Sequence, residues 1–435
     1  MIDRYFKLAE RRTSVRVEIV AGVTTFLTMA YIIFVNPAIL ADAGMDKTAL
    51  VAVTCLITAV ATIVVGFFAN APIAMAPGMG LNAFFAYNLV LTEKISWQTA
   101  LGVVFLSGLF FLILTLVGLR KKIVEAVPQS LISAIAVGIG LFITFIGLKN
   151  LGIVVDHPVT LVQAGPLTTT VVIGLAGLVV MLFLEMKKNK AALLIGILFA
   201  TVIAIACGKI TKPDTLISAK LNIKAVAFHL DILGALKWSM FGSIFALMFM
   251  DMFDSVGTLM GCCSQAGMLD GKGKIKGLDR LLAIDAAATM FGSVLGTSTT
   301  TSYVESAAGI EQGGRSGLTS VVTGILFLMA MLFVPIVEIV PTYATAPALI
   351  MVGLFMIKEV KRINFNKLED AFPAFIIIVM IALSYSISTG LAFGFIAFSI
   401  LKILAGQTKE ISLAMWVITI LSILYFVLPI LIGDF

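Results

Sequence analysis

The sequence predicts an all-α polytopic membrane protein: 14 transmembrane segments in two inverted seven-span repeats, with short β-strands in spans 3 and 10. Three observations predict it. The chain of 435 residues is 60% hydrophobic and 12% charged, with a mean hydropathy of +1.10, whereas soluble domains run near half apolar and about a quarter charged. Twelve apolar runs recur along it, where a spanning helix needs about 20 mostly apolar residues. Two further segments are short and interrupted, and they stand seven places apart in the order of spans.

The full spans lie near 19–40, 49–69, 98–119, 128–149, 167–186, 191–208, 238–263, 278–296, 317–339, 344–358, 370–404 and 411–431. The 370–404 run carries "SISTG" at 386–390 and is expected to be bent or broken. The interrupted segments are 71–90, rich in Gly and Pro, and 296–310, rich in Thr and Ser. An even count puts both termini on one side. The N-terminus, "LRKK" (119–122), "MKKNK" (186–190), "DGKGKIKGLDR" (270–280), "EQGGR" (311–315) and "KEVKR" (358–362) then all fall in the cytoplasm, as the positive-inside rule expects. The exception is the Lys-bearing 209–237 loop, which falls outside and is expected to form a small hairpin. Residues 1–18 read as a cytoplasmic amphipathic lead-in with no cleavable signal peptide. The net charge of +6 follows the loops and is no nucleic-acid signal. Cys55, Cys207, Cys262 and Cys263 lack metal spacing and read as small hydrophobes. His157 and His229 lie in polar loops, and no cofactor or metal is expected.

Because seven is odd, the second half is inverted relative to the first. In transporters of this kind the substrate site lies at interrupted helices in corresponding positions of the halves. "IAMAPG" (73–78) cannot be regular helix, since Pro77 lacks a donor, and "TSTTTSY" (297–303) is β-branched and favours extended backbone. Extended backbone at membrane depth survives only inside protein or beside water. Strands at 73–77 and 298–302 can pair and satisfy one another. Each leads into a half-helix whose N-terminus offers free N–H groups to a ligand, with Asn82 and Glu305 in the first turns. A surface-loop reading is opposed by the apolarity of "NAFFAYNLV" and "SAAGI".

"ALMFMDMFDSVGTLMG" (246–261) carries Asp251 and Asp254 three residues apart, on one helix face. Each acid at bilayer depth costs roughly 2.5–3.5 kcal/mol, so intramembrane carboxylates default to function. Structural pairing with Lys or Arg is opposed by the absence of basic residues near span centres. A carboxyl taken out of water favours its protonated form, so such a group can carry a proton or accept ring N–H groups. Asp285, near the start of its span, is open between a structural and a functional role. Thr24, Thr25, Thr28 and Tyr31 share a face of the first span and are read as helix–helix hydrogen-bonding residues.

The runs "EIVAGVTTFLTMAYIIFVNPAIL" (18–40), "APGMGLNAFFAYNLV" (76–90), "MDMFDSVGTLMG" (250–261) and "GTSTTTSYVESAAGIEQGGRSGLTSVVTG" (296–324) together resemble the AzgA-like purine permeases, a branch of the nucleobase–cation symporter-2 superfamily. The resemblance covers nearly the whole chain. It implies a core domain of spans 1–4 and 8–11 (19–119 and 236–340) and a gate domain of spans 5–7 and 12–14 (120–208 and 341–435), with 209–235 as an extracellular loop. It implies proton symport of purine bases by an elevator-like motion, and a homodimer. Glu305 in "YVES" matches the acid of span 10, Asp254 in "DSVG" that of span 8, Asp251 an acid of this branch, and Gly80 and Asn82 in "GLN" the functional positions of span 3. The Asn-x-Gly signature of the wider superfamily is replaced by "ESAAGIEQGGRSG", which favours the AzgA-like branch.

The expectation is a proton-coupled symporter for hypoxanthine, guanine or adenine in the cytoplasmic membrane. Glu305 and one of the aspartates would hold the base and the other aspartate the proton, while Phe84, Phe249 or Phe253 could stack on its face. An anion carrier of the same fold is the alternative, and three carboxylates oppose it. An intramembrane aspartyl protease would need its acids on different helices, so no enzyme is expected. A channel suits buried titratable acids less well than alternating access does.

Overall fold

A computed structural model of the chain describes residues 2–118, 127–211, 215–218, 222–269, 275 and 277–432. "LRKK" (119–122) and most of "DGKGKIKGLDR" (270–280) lie outside the described residues. The first half contains α1 (Val15–Ala41), α2 (Lys47–Ala69), β1 (Met75–Pro77), α3 (Met79–Thr92), α4 (Trp97–Leu116), α5 (Gln129–Leu151), the hairpin β2 (Val154–His157) and β3 (Leu161–Ala164), α6 (Thr169–Met186) and α7 (Ala192–Ala206). The second contains α8 (Phe241–Gln265), α9 (Leu278–Leu295), β4 (Thr300–Ser302), α10 (Ser306–Glu311), α11 (Gly317–Glu338), α12 (Thr342–Arg362), α13 (Leu368–Ser384), α14 (Ile387–Leu404) and α15 (Leu413–Ile432).

Local chemistry sets the ends of these helices. Asp46, Ser96 and Ser316 cap α2, α4 and α11 through their side-chain oxygens, satisfying first-turn N–H groups. Gly296 ends α9 with φ +94, and a Cβ there would meet the carbonyl oxygen of Val226 at 2.4 Å, so glycine alone suits the position. Between such ends α4 runs 20 residues, about 30 Å at helical rise, which matches the hydrocarbon thickness. Among the described residues nine helices are long and apolar enough to cross a membrane.

The packing repeats under exchange of halves. Helix α2 packs on α11 as α9 does on α4, and α6 packs on α12 as α13 does on α5. The α6–α7 pair is matched by α13–α14, the contact of α1 with α10 by that of α8 with α3, and α5 meets α12 directly. The two halves are therefore inverted copies in architecture. They sort into two packed groups, one built on α1–α4 and α8–α11, the other on α5–α7 and α12–α14.

Two sequence expectations change. The 370–404 run, expected to be bent or broken, is broken beside "SISTG" into a close antiparallel pair of helices. Gly390 lies against Ile377 and Ile381, and Gly394 against Pro373 and Ile377. The chain reverses at Tyr385, whose φ is +54. Helices α13 and α14 therefore fill the sixth and seventh places of the second repeat, and α15, packed on α14, has no counterpart in the first. The even count of crossings no longer follows, nor does the placement of both termini on one side. The 209–237 loop, expected as a hairpin, shows helical turns at Ile223–Ala225 and Ile232–Ala235. It lies across the ends of α4 and α9, where Asp231 N–H reaches Gln98 O at 2.9 Å and Phe228 N–H reaches Val294 O at 2.8 Å.

The N-terminal lead-in forms a short helix, Ile2–Phe6, and buries Phe6 and Leu8 against Leu318 of α11. Buried Glu18 then accepts N–H groups from Arg315 (2.9 Å), Ser316 (3.3 Å) and Thr319 (3.2 Å), tying α1 to the start of α11.

Candidate functional site

The strands β1 and β4 pair antiparallel at the centre of the molecule, with Met75 opposite Ser302, Ala76 opposite Thr301 and Pro77 opposite Thr300. Pro77 cannot donate. The pairing continues at both ends, from Gly78 N–H to Thr299 O (3.1 Å) and from Tyr303 N–H to Ala74 O (2.9 Å). Side chains meet further backbone groups: Tyr303 Oη donates to Pro77 O, Ser306 Oγ accepts Ala74 N–H at 3.0 Å, and threonines of the preceding helices close the first residue of each strand. Thr62 of α2 accepts Met75 N–H and donates to Met75 O, both at 3.0 Å. Thr289 of α9 accepts Thr300 N–H at 3.1 Å and reaches Thr300 O at 3.0 Å. The same device serves the first residue of each strand, so short bare strands are satisfied without water, as membrane depth requires.

Four carboxylates gather on this crossing. Asp251, buried within α8, accepts from Thr289 Oγ1 at 3.1 Å, while its Oδ1 is enclosed with no donor among the described residues. Asp254, one turn on, is exposed and meets Thr301 Oγ1 at 3.5 Å. Ser255 donates to Asp285 Oδ2 at 2.5 Å and shares a 2.7 Å hydrogen bond with Thr301 Oγ1. Ser302 donates to the other oxygen of Asp285 at 3.4 Å. Side chains thus link Asp254 through Thr301 and Ser255 to fully buried Asp285. Glu305, at the start of α10, accepts from Tyr31 Oη at 2.8 Å. Among the described residues none of the four acids has an ion-pair partner, so hydrogen bonds rather than counter-charges offset their desolvation.

Asp254 lies on an exposed face of α8. Gly257, Gly261 and Ser264 continue its face of α8, all exposed, and a Cβ on either glycine would meet nothing within 4 Å. Residues 246–253 on the other side of Asp254 are all buried. There Phe245, Phe249, Phe253 and Phe395 of α14 pack ring to ring at 4.5–5.5 Å. Helix α8 is thus exposed on the Asp254 face toward its C-terminal end and buried toward its N-terminal end.

The structure thus brings Asp251, Asp254 and Glu305 together and adds Asp285. Phe84 and Phe249, named above as stacking candidates, are fully buried, and Phe253 is nearly so. Asn82 is fully buried, and its amide is engaged on both sides: Nδ2 donates to Asn36 Oδ1 at 2.5 Å and Oδ1 accepts from Ser298. Gly80 faces the other packed group, where a Cβ would lie 2.6 Å from Ile139 Cγ2 of α5. The sequence reading passed over Thr62, Ser255, Thr289 and Thr301. The run "TSTTTS" signalled hydroxyls at the crossing, but nothing in sequence pointed to partners tens of residues away.

Crossed half-helices from inverted halves, with acids at their meeting point, are the arrangement in which inverted-repeat membrane transporters place their substrate sites. The comparisons give the family: residues 16–393 match the Permease family model (Xan_ur_permease), and the chain belongs to that family. It is a permease and not an enzyme. Adenine permease AdeP of Escherichia coli is 42% identical over 425 residues, covering 98% of this chain and 95% of its own. Guanine/hypoxanthine permease PbuG of Bacillus subtilis is 41% identical over 437 residues, covering 97% and 99%. The transmembrane domain of a cyanobacterial bicarbonate transporter, BicA, shares the fold with a TM-score of 0.65 at 16% identity, over 86% of this chain and 96% of that one.

Proposed function

We propose that the chain is a proton-coupled symporter that imports purine nucleobases, hypoxanthine and guanine or adenine, across the cytoplasmic membrane by an elevator-like motion. The observation that carries this is the acid cluster at the strand crossing, exposed at Asp254 and without an ion-pair partner among the described residues, in a chain whose relatives bear purine permease names. A purine presents N–H donors on flat edges. Asp254 and Glu305 accept them, while the half-helix N-terminus of α10 lies beside the base. Asp251 and Asp285, enclosed behind the threonines, carry the proton, with Thr301 and Ser255 as the route between them and Asp254. Gly80 serves as a smooth contact for sliding and Asn82 as the positioner of α3.

The group of α1–α4 and α8–α11 moves as the core, and the group of α5–α7 and α12–α14 stays as the gate. A homodimer in the cell membrane, with the N-terminus and the exposed end of α8 toward the cytoplasm, completes the proposal. A proton falling through about 100 mV releases roughly 2.3 kcal/mol, enough to concentrate a neutral base about fifty-fold.

The test is uptake of radiolabelled hypoxanthine and adenine in cells lacking their own purine uptake, with and without a protonophore. Asp254→Asn and Glu305→Gln run beside wild type, and bicarbonate and uracil serve as competitors. Protonophore-sensitive uptake lost in both variants is expected. Protein shown to be in the membrane that takes up no purine would overturn the proposal.

A further inference from the structure

Helix α1 is not one rod. It breaks at Ala30–Tyr31 into Val15–Met29 and Ile32–Ala41, with tight bonds from Ile33 N–H to Ala30 O (3.2 Å) and Phe34 N–H to Tyr31 O (3.1 Å). The residue at the break is Tyr31, 2% exposed, and its hydroxyl donates to Glu305 Oε1 at 2.8 Å. Both pieces of the helix are pinned. Upstream, the Glu18 carboxylate grips the backbone at 315–319. Downstream, Asn36 Nδ2 donates to Thr54 at 2.7 Å and to Thr297 at 3.4 Å. A phenol held on both sides cannot follow a carboxylate that swings, so the carboxylate must stay with the phenol.

We propose that Tyr31 is the positioning residue for Glu305 and determines which purine edge the site accepts. This deepens the purine-carrier reading and rests on it. With one lone pair of Oε1 taken by the phenol and the carboxylate plane thereby set, Oε2 is the freer acceptor for a ligand. A carboxylate fixed in rotation presents one acceptor direction. A 6-amino purine and a 6-oxo purine offer donors at different places on the ring, so one fixed direction separates them. A site built to hydrogen-bond one pattern discriminates by leaving the wrong pattern unpaired.

The test is equilibrium binding of radiolabelled adenine and of hypoxanthine to purified protein in detergent, with uptake and thermal unfolding measured on the same variants. Tyr31→Phe is expected to weaken the preferred base roughly 10- to 150-fold, the size of one hydrogen bond to a charged group. It is expected to move the adenine-to-hypoxanthine affinity ratio toward one, and to leave maximal uptake and the unfolding temperature near wild type. In a Glu305→Asp background, where the shortened acid is out of reach of the phenol, Tyr31→Phe is expected to add nothing. An unchanged affinity ratio overturns the inference, and so does the same loss in both backgrounds. Wild-type protein that binds neither purine defeats the functional reading itself, whereas purine binding with an indifferent Tyr31→Phe defeats only this inference.

Discussion

The contact between α1 and α10 makes Gly309→Ala a sharp perturbation. Gly309 sits one turn after Glu305, and a Cβ there would lie 2.6 Å from Ala21 O and 2.1 Å from Thr25 Oγ1. The threonine can rotate, at the loss of its 3.1 Å hydrogen bond to Ala21 O. The backbone oxygen of α1 cannot. Ordinary contact begins at 3.4 Å, so α10 must retreat by about the difference between 3.4 and 2.6, near 0.8 Å, because a packed interface has no spare room. Glu305 rides on α10. Its 2.8 Å bond to Tyr31 would stretch to about 3.6 Å, which is no longer a hydrogen bond. Loss of one bond to a charged group costs roughly 1.5–3 kcal/mol, so purine affinity is expected to fall roughly 10- to 150-fold. Binding of radiolabelled adenine and hypoxanthine to purified protein measures this, with the unfolding temperature as the control for global damage. Because the damage runs through Tyr31, adding Tyr31→Phe to Gly309→Ala should cost little more. Gly309→Ala protein that binds as wild type does would refute the chain of reasoning from helix contact to carboxylate position.

Gly80→Val is expected to slow uptake about tenfold or more while leaving binding affinity intact, because its new atoms meet Ile139 of α5 and obstruct a conformational step. Ile139→Ala should restore the rate, and a loss of affinity instead would return Gly80 to the substrate site. Thr289→Val removes the hydroxyl shared by Asp251 and the backbone of Thr300, and should cost about 1–3 kcal/mol in denaturant unfolding. Thr289→Ser should recover most of it, and an unaltered Thr289→Val would remove the threonine from the account. Glu410, beyond the end of α14, holds Lys402 Nζ at 2.8 Å, and that cation keeps its carboxyl below the ordinary value. A lowered folded value means the contribution is full above the unfolded pKa and fades as the pH falls through the folded one. The gap in unfolding temperature between wild type and Glu410→Gln should therefore be full at neutral pH and close below about pH 4; a gap that persists there contradicts the assignment.

What was legible in the sequence follows from how local each signal is. Pro77 and the threonine run at 297–301 forbid or disfavour helix within a few residues, so both strands could be read directly. Carboxylates in apolar runs carry their cost wherever they sit, so Asp251, Asp254 and Glu305 stood out. The reversal at Tyr385 did not, because a left-handed turn there is made without glycine, and "SISTG" suits a kink as well as a hairpin. Asn82 reads two ways for a related reason. A buried amide suits a ligand or a scaffold equally, and its partners, Asn36 and Ser298, lie 46 and 216 residues away.

The inverted repeat shows most clearly where sequence similarity is least. β1 reads Met-Ala-Pro and β4 reads Thr-Thr-Ser, with nothing shared, yet each strand has its first residue closed on both backbone groups by one threonine from the helix before it. What the halves keep in common is a requirement, that no backbone donor or acceptor go unmet at membrane depth. One half diverged further. Thr289 Oγ1 also lies 3.1 Å from Asp251 Oδ2, so its one proton serves either that carboxylate or Thr300 O, whereas among the described residues Thr62 bonds only to the strand. The threonine of the second half therefore joins the fold's own hydrogen-bond accounting to an acid of the site, and a change in the protonation of Asp251 alters the partner of the strand on which Thr301 meets Asp254. Under the proton-symport proposal, that link is the short physical path between proton and substrate, confined to α8, α9 and β4.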